Sequence, residues 1–231
     1  SITTATAIGI TSAGLYKNFI AKYPQYSSKI SLLEALLLPG NQIIDPPGIK
    51  NELTEGREYF INADFQLNKE RLTGLLKGFS AFKKMQQSNW KFVIVLRSAD
   101  GISKEEAATL LSNYKYREDV VLTKAERLNE KIADAYALLS ICEAEVFPVP
   151  VTEAIKLKTP VISVKTDTIN QLYGDAIVYT KNADSEAVGE MLMMLYKGET
   201  FRKNLIKKIE SSQLSPDLEN VTDWLRRHLL K

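Results

Sequence analysis

The chain has 231 residues; at roughly 150 residues per domain it exceeds one nucleotide-binding α/β unit and falls short of two. Hydrophobic residues make up 45% and charged residues 25%, which excludes a disordered chain. With 30 Lys and Arg against 28 Asp and Glu the net charge is +2, too little for sequence-independent nucleic-acid binding.

The first ten residues are small and apolar but lack a positive n-region, so they do not read as a signal peptide. Residues 1–45 read as a strand, a helix from Ser12 to Lys22, and an apolar segment around Leu32 to Leu38. Together they form an N-terminal αβ appendage, or the remnant of another domain. Asp45-Pro46-Pro47-Gly48 punctuates the chain, since proline excludes helix and glycine supplies a turn, and residues 46–58 are taken as a linker. Residues 59–210 then alternate two patterns. Near-continuous apolar runs at Phe92–Leu96, Val120–Thr123, Ala137–Ile141, Pro160–Val164 and Ala176–Tyr179 predict strands buried on both faces of a parallel sheet. Leu72, Leu75, Leu76, Phe79 and Phe82 form one apolar helix stripe, opened by Asn68 as N-cap. Ser103 and Glu106 form a capping box. Asp184 caps a helix carrying Val188, Met191, Leu192 and Leu195, whose Met-rich patch reads as core, and Gly198 suits its C′ position. Residues 211–231 carry Leu218, Val221, Trp224, Leu225, His228 and Leu229 at helical spacing and predict a helix that returns to the N-terminal part or meets a partner.

Strands alternating with helices predict an α/β fold, a Rossmann-like parallel sheet with helices on both faces. Apolar stretches such as Ala135–Leu139 are far below the roughly 20 residues a membrane span requires. The single cysteine, Cys142, makes no internal disulfide, and with one histidine, His228, a Cys-rich or two-His metal site is disfavoured. A reducing, cytoplasmic compartment fits.

In an open parallel sheet, ligands bind beyond the carboxyl ends of the strands. Of the loops there, residues 145–154 are the most informative. They follow a strand and run into a helix, with Pro150 read at the first helical position. Free N–H groups at Val151 and Thr152, with the helix dipole, would make a phosphate site. Glu145 and Glu153 bracket this turn, and Glu153 lies where it can face a ribose hydroxyl. Taken alone, such a pair also suits a solvated loop and a helix face.

The segment Glu145-Val146-Phe147-Pro148-Val149-Pro150-Val151-Thr152-Glu153-Ala154 resembles the E-G-F-G-L-P-V-L-E-A signature of the family 4 glycosyltransferases. Thr159-Pro160-Val161-Ile162-Ser163, Gly174-Asp175-Ala176, Asn182-Ala183-Asp184, Lys69 and Pro46-Pro47-Gly48-Ile49 resemble further family segments in the right order, over roughly 45–210. The resemblance implies the donor-binding domain of a GT-B fold, holding a UDP- or GDP-linked sugar and transferring it with retention of configuration. It implies Glu145 at the reacting centre, Glu153 on the ribose, Lys69 on the diphosphate, and backbone amides near Phe147 and Val149 assisting. It also implies a glycan or lipid-linked acceptor and no metal or other cofactor.

Four positions depart from the family pattern. Val146 and Pro148 stand where it has glycine, Asp64 where it has arginine, and Arg97 where it has glycine. A carboxylate at 64 would repel a diphosphate, so Arg97 or Arg71 is expected to supply the missing cation. These departures keep open a non-catalytic domain of glycosyltransferase ancestry, used for binding or assembly. Lys207-Lys208 and Arg226-Arg227 read as solvated helix faces, with a membrane surface as the alternative. An exposed cleft wall leaves an oligomer open. Phe79 and Phe82 read as core rather than a stacking platform.

Overall fold

A computed structural model of the chain describes residues 3–33, 48–143, 148–180, 182–211 and 218–229. The elements in order are β1 (Ile8–Ile10), α1 (Ala13–Lys22), β2 (Ile30–Leu32), α2 (Ile49–Thr54), β3 (Tyr59–Asn62), α3 (Lys69–Met85), β4 (Lys91–Leu96), α4 (Lys104–Ser112), β5 (Val120–Lys124), α5 (Leu128–Ala133), β6 (Ala137–Ser140), α6 (Val149–Lys156), β7 (Val161–Val164), α7 (Asp167–Tyr173), β8 (Val178–Thr180), α8 (Ser185–Lys197), α9 (Glu199–Ser211) and α10 (Leu218–Leu229).

Strands β3 to β8 form one parallel sheet in the order β5-β4-β3-β6-β7-β8, with Phe60 of β3 opposite Phe92 on one side and Ala137 on the other. Every residue of β3, β4, β6 and β7 is buried, as the unbroken apolar runs require. One face packs Phe60, Phe92 and Leu139 against the α3 stripe and against Val188 and Leu192 of α8. Phe79 and Phe82 are fully buried there. The other face packs Tyr59, Ile61 and Leu138 against Ile132, Val151, Ile155, Ile169 and Ile209. Helices α3 and α8 approach closely because two glycines meet the partner helix. A Cβ on Gly189 would lie 2.5 Å from the Ala81 Cβ, and one on Gly78 would lie 2.5 Å from the Val188 Cγ1.

The helix starts follow their capping residues. Asn68 accepts from the Arg71 N–H, Ser103 and Glu106 exchange both bonds of the capping box, and Asp184 accepts from Glu186 and Ala187. Gly198 ends α8 for a different reason than expected. Its φ is −103°, not left-handed. A Cβ there would stand 2.7 Å from the Met194 carbonyl oxygen and 3.2 Å from the Phe201 Cβ. The glycine makes room for the sharp passage into α9. The last strand starts later than its apolar run, because Gly174–Ala176 form a 3₁₀ turn. Within the stretch read as a linker, α2 is an ordered helix that buries Ile49, entered through Gly48 at φ +96°.

The N-terminal part is a separate two-stranded parallel sheet, β1 with β2, joined by α1. Ser12 caps α1, and its hydroxyl also meets the Thr168 hydroxyl at 2.8 Å, in a buried contact with the start of α7. The Gly14 N–H reaches the same Thr168 oxygen, and Lys17 pairs with Asp167 at 2.7 Å. From α10, the Trp224 ring comes within 3.4 Å of where a Cβ on Gly9 would lie. The apolar residues expected at 34–38 and the Asp45-Pro46-Pro47 turn lie outside the described residues.

Candidate functional site

The chain order of the sheet reverses between β3 and β6. From β3 the chain steps outward through β4 to β5, then returns to β6 and steps the other way to β8. At such a point the crossovers diverge to opposite faces and leave a crevice at the carboxyl ends. The residues lining that crevice decide what it can hold.

Asp64, two residues past the end of β3, lies at this crevice and turns inward. It is 4% exposed. Its Oδ1 accepts from the Ser140 hydroxyl at 2.6 Å, and its Oδ2 accepts from the Ile141 N–H at 2.9 Å and from Asn62 Nδ2 at 3.0 Å. Burial pushes its pKa up, opposed by those bonds and by Arg71. The expectation that this carboxylate faces and repels a diphosphate is therefore corrected. Asp64 ties the β3 loop to the end of β6.

The two arginines expected to replace the missing cation both brace the same loop. Arg97, the first residue after β4, donates from Nη1 to the Asp64 carbonyl at 3.0 Å, and its guanidinium covers the Phe65 ring at 4.2 Å. Its Nη2 is buried and without a hydrogen-bond partner among the described residues. Desolvation lowers its pKa, against the fields of Asp100 and Asp64. Arg71, half-buried on the first turn of α3, reaches the Phe65 and Gln66 carbonyls, both at 3.4 Å. Asp100 joins the loops after β3 and β4, accepting from the Leu67 N–H at 3.1 Å and the Arg97 N–H at 2.7 Å. Gln66 sits at φ +56°, a left-handed conformation unfavourable for a side chain with a Cβ.

On the other side of the crevice, α6 begins at Val149, with Pro148 as N-cap and Pro150 second in the helix rather than first. The Thr152 N–H is not free, because it donates to the Pro148 carbonyl at 3.0 Å. Since Pro148 and Pro150 carry no N–H, the first-turn donors are those of Val149 and Val151. The Thr152 hydroxyl lies 2.5 Å from the Tyr173 hydroxyl, linking α6 to α7, and burial pushes the Tyr173 pKa up. Glu153 is half-buried and pairs with Lys156 at 3.0 Å. Glu145 and Phe147 lie outside the described residues, as does Val146.

Lys69 opens α3 and is exposed. It lines a groove of about 820 Å³ with Arg71, Lys77, Ile141, Glu143 and Ala183, which sets it beside the carboxyl end of β6. A second groove, of about 1390 Å³, runs between the loops after β4 and β5, from Arg97 to Lys104 and from Leu122 to Glu126. Its β5 wall is fixed from behind. Lys131, 6% exposed on α5, donates to the Thr123 hydroxyl at 2.9 Å and the Lys124 carbonyl at 2.8 Å. Desolvation lowers its pKa. Neither Phe65 nor Lys131 stood out in the sequence. A lysine beside Ile132 in a short helix carries no sign of burial, and an aromatic after Asp64 reads as core.

A profile described as glycosyl transferases group 1 matches residues 49–212, well over half of the chain. The chain belongs to that family. No curated protein sequence matches it. Among solved structures, the S. aureus TarM G117R mutant with fondaparinux, α-GlcNAc-glycerol and UDP aligns at TM-score 0.76 and 12% identity, over 97% of this chain and 44% of that one. Anabaena Alr3699/HepE with UDP and glucose aligns at 0.76 and 13%, over 98% and 63%. WaaG, a glycosyltransferase involved in lipopolysaccharide biosynthesis, aligns at 0.71 and 17%, over 94% and 61%. These likenesses show the shared fold, one half of a GT-B architecture, and the chain spans 44–63% of those three proteins. Among the described residues of this group 1 domain, no helix is long and apolar enough to cross a membrane.

Proposed function

We infer that this group 1 domain binds a nucleotide-activated sugar at the β3/β6 crevice and takes part in transferring the sugar with retention of configuration. In that reaction the bond from the anomeric carbon to the diphosphate breaks. A bond from the same carbon to an acceptor hydroxyl forms, and the acceptor's proton is lost. The observation that carries the reading is the switch-point crevice of a group 1 fold, with the start of α6 on one side and Lys69 and the arginine-braced loop on the other. Two solved structures of the same fold hold UDP, which supports a nucleoside diphosphate ligand.

In this reading Glu145 acts at the reacting centre and Glu153 leaves Lys156 to accept from the ribose. Lys69, with the Val149 amide and that of Phe147, stabilises the leaving diphosphate by preorganised charge. Arg97 and Arg71 act through the loop they hold. The acceptor is a glycan or a lipid-linked sugar, and the donor is UDP- or GDP-linked.

Thermal unfolding with UDP, GDP, ADP and their sugar conjugates tests this. A ligand at a hundred times its Kd adds about 2.7 kcal/mol, a rise of roughly 5–11 °C at this size. One base should raise the midpoint, and Glu153→Ala should abolish the rise. No rise with any nucleotide overturns the reading.

A second reading, a non-catalytic domain of the same ancestry, draws on Asp64, which is locked inside the fold, and on the two prolines that thin the donors of α6. Binding without sugar transfer or hydrolysis by the full-length protein would favour it.

A further inference from the structure

Single exposed apolar side chains are common and need no explanation. Phe65 differs because the chain holds it out by force. The loop from residue 63 to 68 places a charged side chain inside and an aromatic one outside, with Asp64 4% exposed and Phe65 44% exposed. That inversion is braced on every side. Asp64 is anchored to Ser140 and Ile141, Arg97 and Arg71 hold the carbonyls of residues 64–66, Asp100 holds the Leu67 N–H, and Gln66 accepts a left-handed φ. A loop this constrained has no freedom to tuck the ring away. Arg97 covers one face of the ring at 4.2 Å, while the residue keeps nearly half its surface open. Arg97 also lines the groove between the loops after β4 and β5.

A flat apolar ring backed by a guanidinium on one face and open on the other suits a ligand with a planar ring. We propose that Phe65 is a stacking platform for the heteroaromatic base of the nucleotide, sandwiched between that base and Arg97, and so a determinant of nucleotide affinity. This rests on the donor-binding reading above. Aliphatic side chains would fill the same space, but only an aromatic face stacks on both a guanidinium and a base.

The test is calorimetric titration of the full chain with the nucleoside diphosphate that gives the largest thermal shift. Phe65→Ala and Phe65→Leu should each weaken binding by about tenfold, while Phe65→Tyr should stay within about twofold of the unaltered protein, since it keeps the ring face. Inorganic pyrophosphate, which has no ring, should compete equally well for the unaltered chain and Phe65→Ala. Unchanged affinity in Phe65→Ala, or Phe65→Leu binding as well as Phe65→Tyr, overturns the platform while leaving the donor site standing. Failure of the unaltered chain to bind any nucleotide overturns both.

Discussion

Charge is buried at both ends of the sheet, by opposite means. At the amino ends, Lys83 and Lys91 share one carboxylate, with Asp119 at 2.8 Å from Lys83 and 3.3 Å from Lys91. Both lysines also donate to neighbouring carbonyls, Lys83 to Ser88 and Lys91 to Glu118. At the carboxyl ends, Asp64 receives only neutral donors at hydrogen-bond distance, and Arg97 and Arg71 reach only carbonyls there. Among the described residues, neither guanidinium has a carboxylate within 4.0 Å. At the amino ends the charges neutralise each other. At the carboxyl ends they are fixed by dipoles, and their field stays available.

The largest test of this contrast removes Asp64. Asp64→Ala leaves the Ser140 hydroxyl and the Ile141 N–H without their acceptor, while the Asn62 amide keeps the Leu139 carbonyl. The loss should be on the order of 3 kcal/mol, read as a fall of roughly 6–12 °C in the unfolding midpoint. Asp119→Ala should cost a similar amount, also about 3 kcal/mol, at the low end for a broken buried pair because Asp119 is 21% exposed and both lysines keep a carbonyl acceptor. Salt separates the two. Raising it from 0.05 to about 1 M should shrink the Asp119 effect through screening and leave the Asp64 effect nearly unchanged in urea titrations.

The smallest effect is in pH. Burial raises the folded pKa of Asp64 above its unfolded value, so the native state holds that proton more tightly. The resulting stability is fully present below the unfolded value of about 3.9 and is lost as pH rises through the folded pKa. The urea midpoint of the unaltered protein should therefore fall over that window relative to Asp64→Asn. A parallel course for the two proteins would show that Asp64 stays ionised throughout.

What the sequence disclosed follows the range of each interaction. The caps at Asn68, Ser103 and Asp184 act within three residues, so they were legible, as was the stripe from Leu72 to Phe82. Buried strands announced themselves through unbroken apolar runs. The orientation of Asp64 depends on Ser140 and Ile141, more than seventy residues away, and no local pattern encodes it. The grip of Arg97 on the Asp64 carbonyl spans 33 residues. The geometry at Gly198 was misread because a glycine after a helix suggests a left-handed turn, whereas this one answers to crowding by Met194 and Phe201. Lys131 was missed because only the fold turns its ammonium toward the end of β5.

The glycine contacts between α3 and α8 carry a mechanical consequence. Where side chains separate two helices, rotamer changes let them part or settle. At Gly78 and Gly189 each helix lies against the other with no side chain of its own to adjust. The pair therefore moves as one strut, and α8 leads back to the outer strand β8 while α3 begins at Lys69. A displacement of that edge of the sheet is therefore expected to carry over to the start of α3, at the mouth of the crevice.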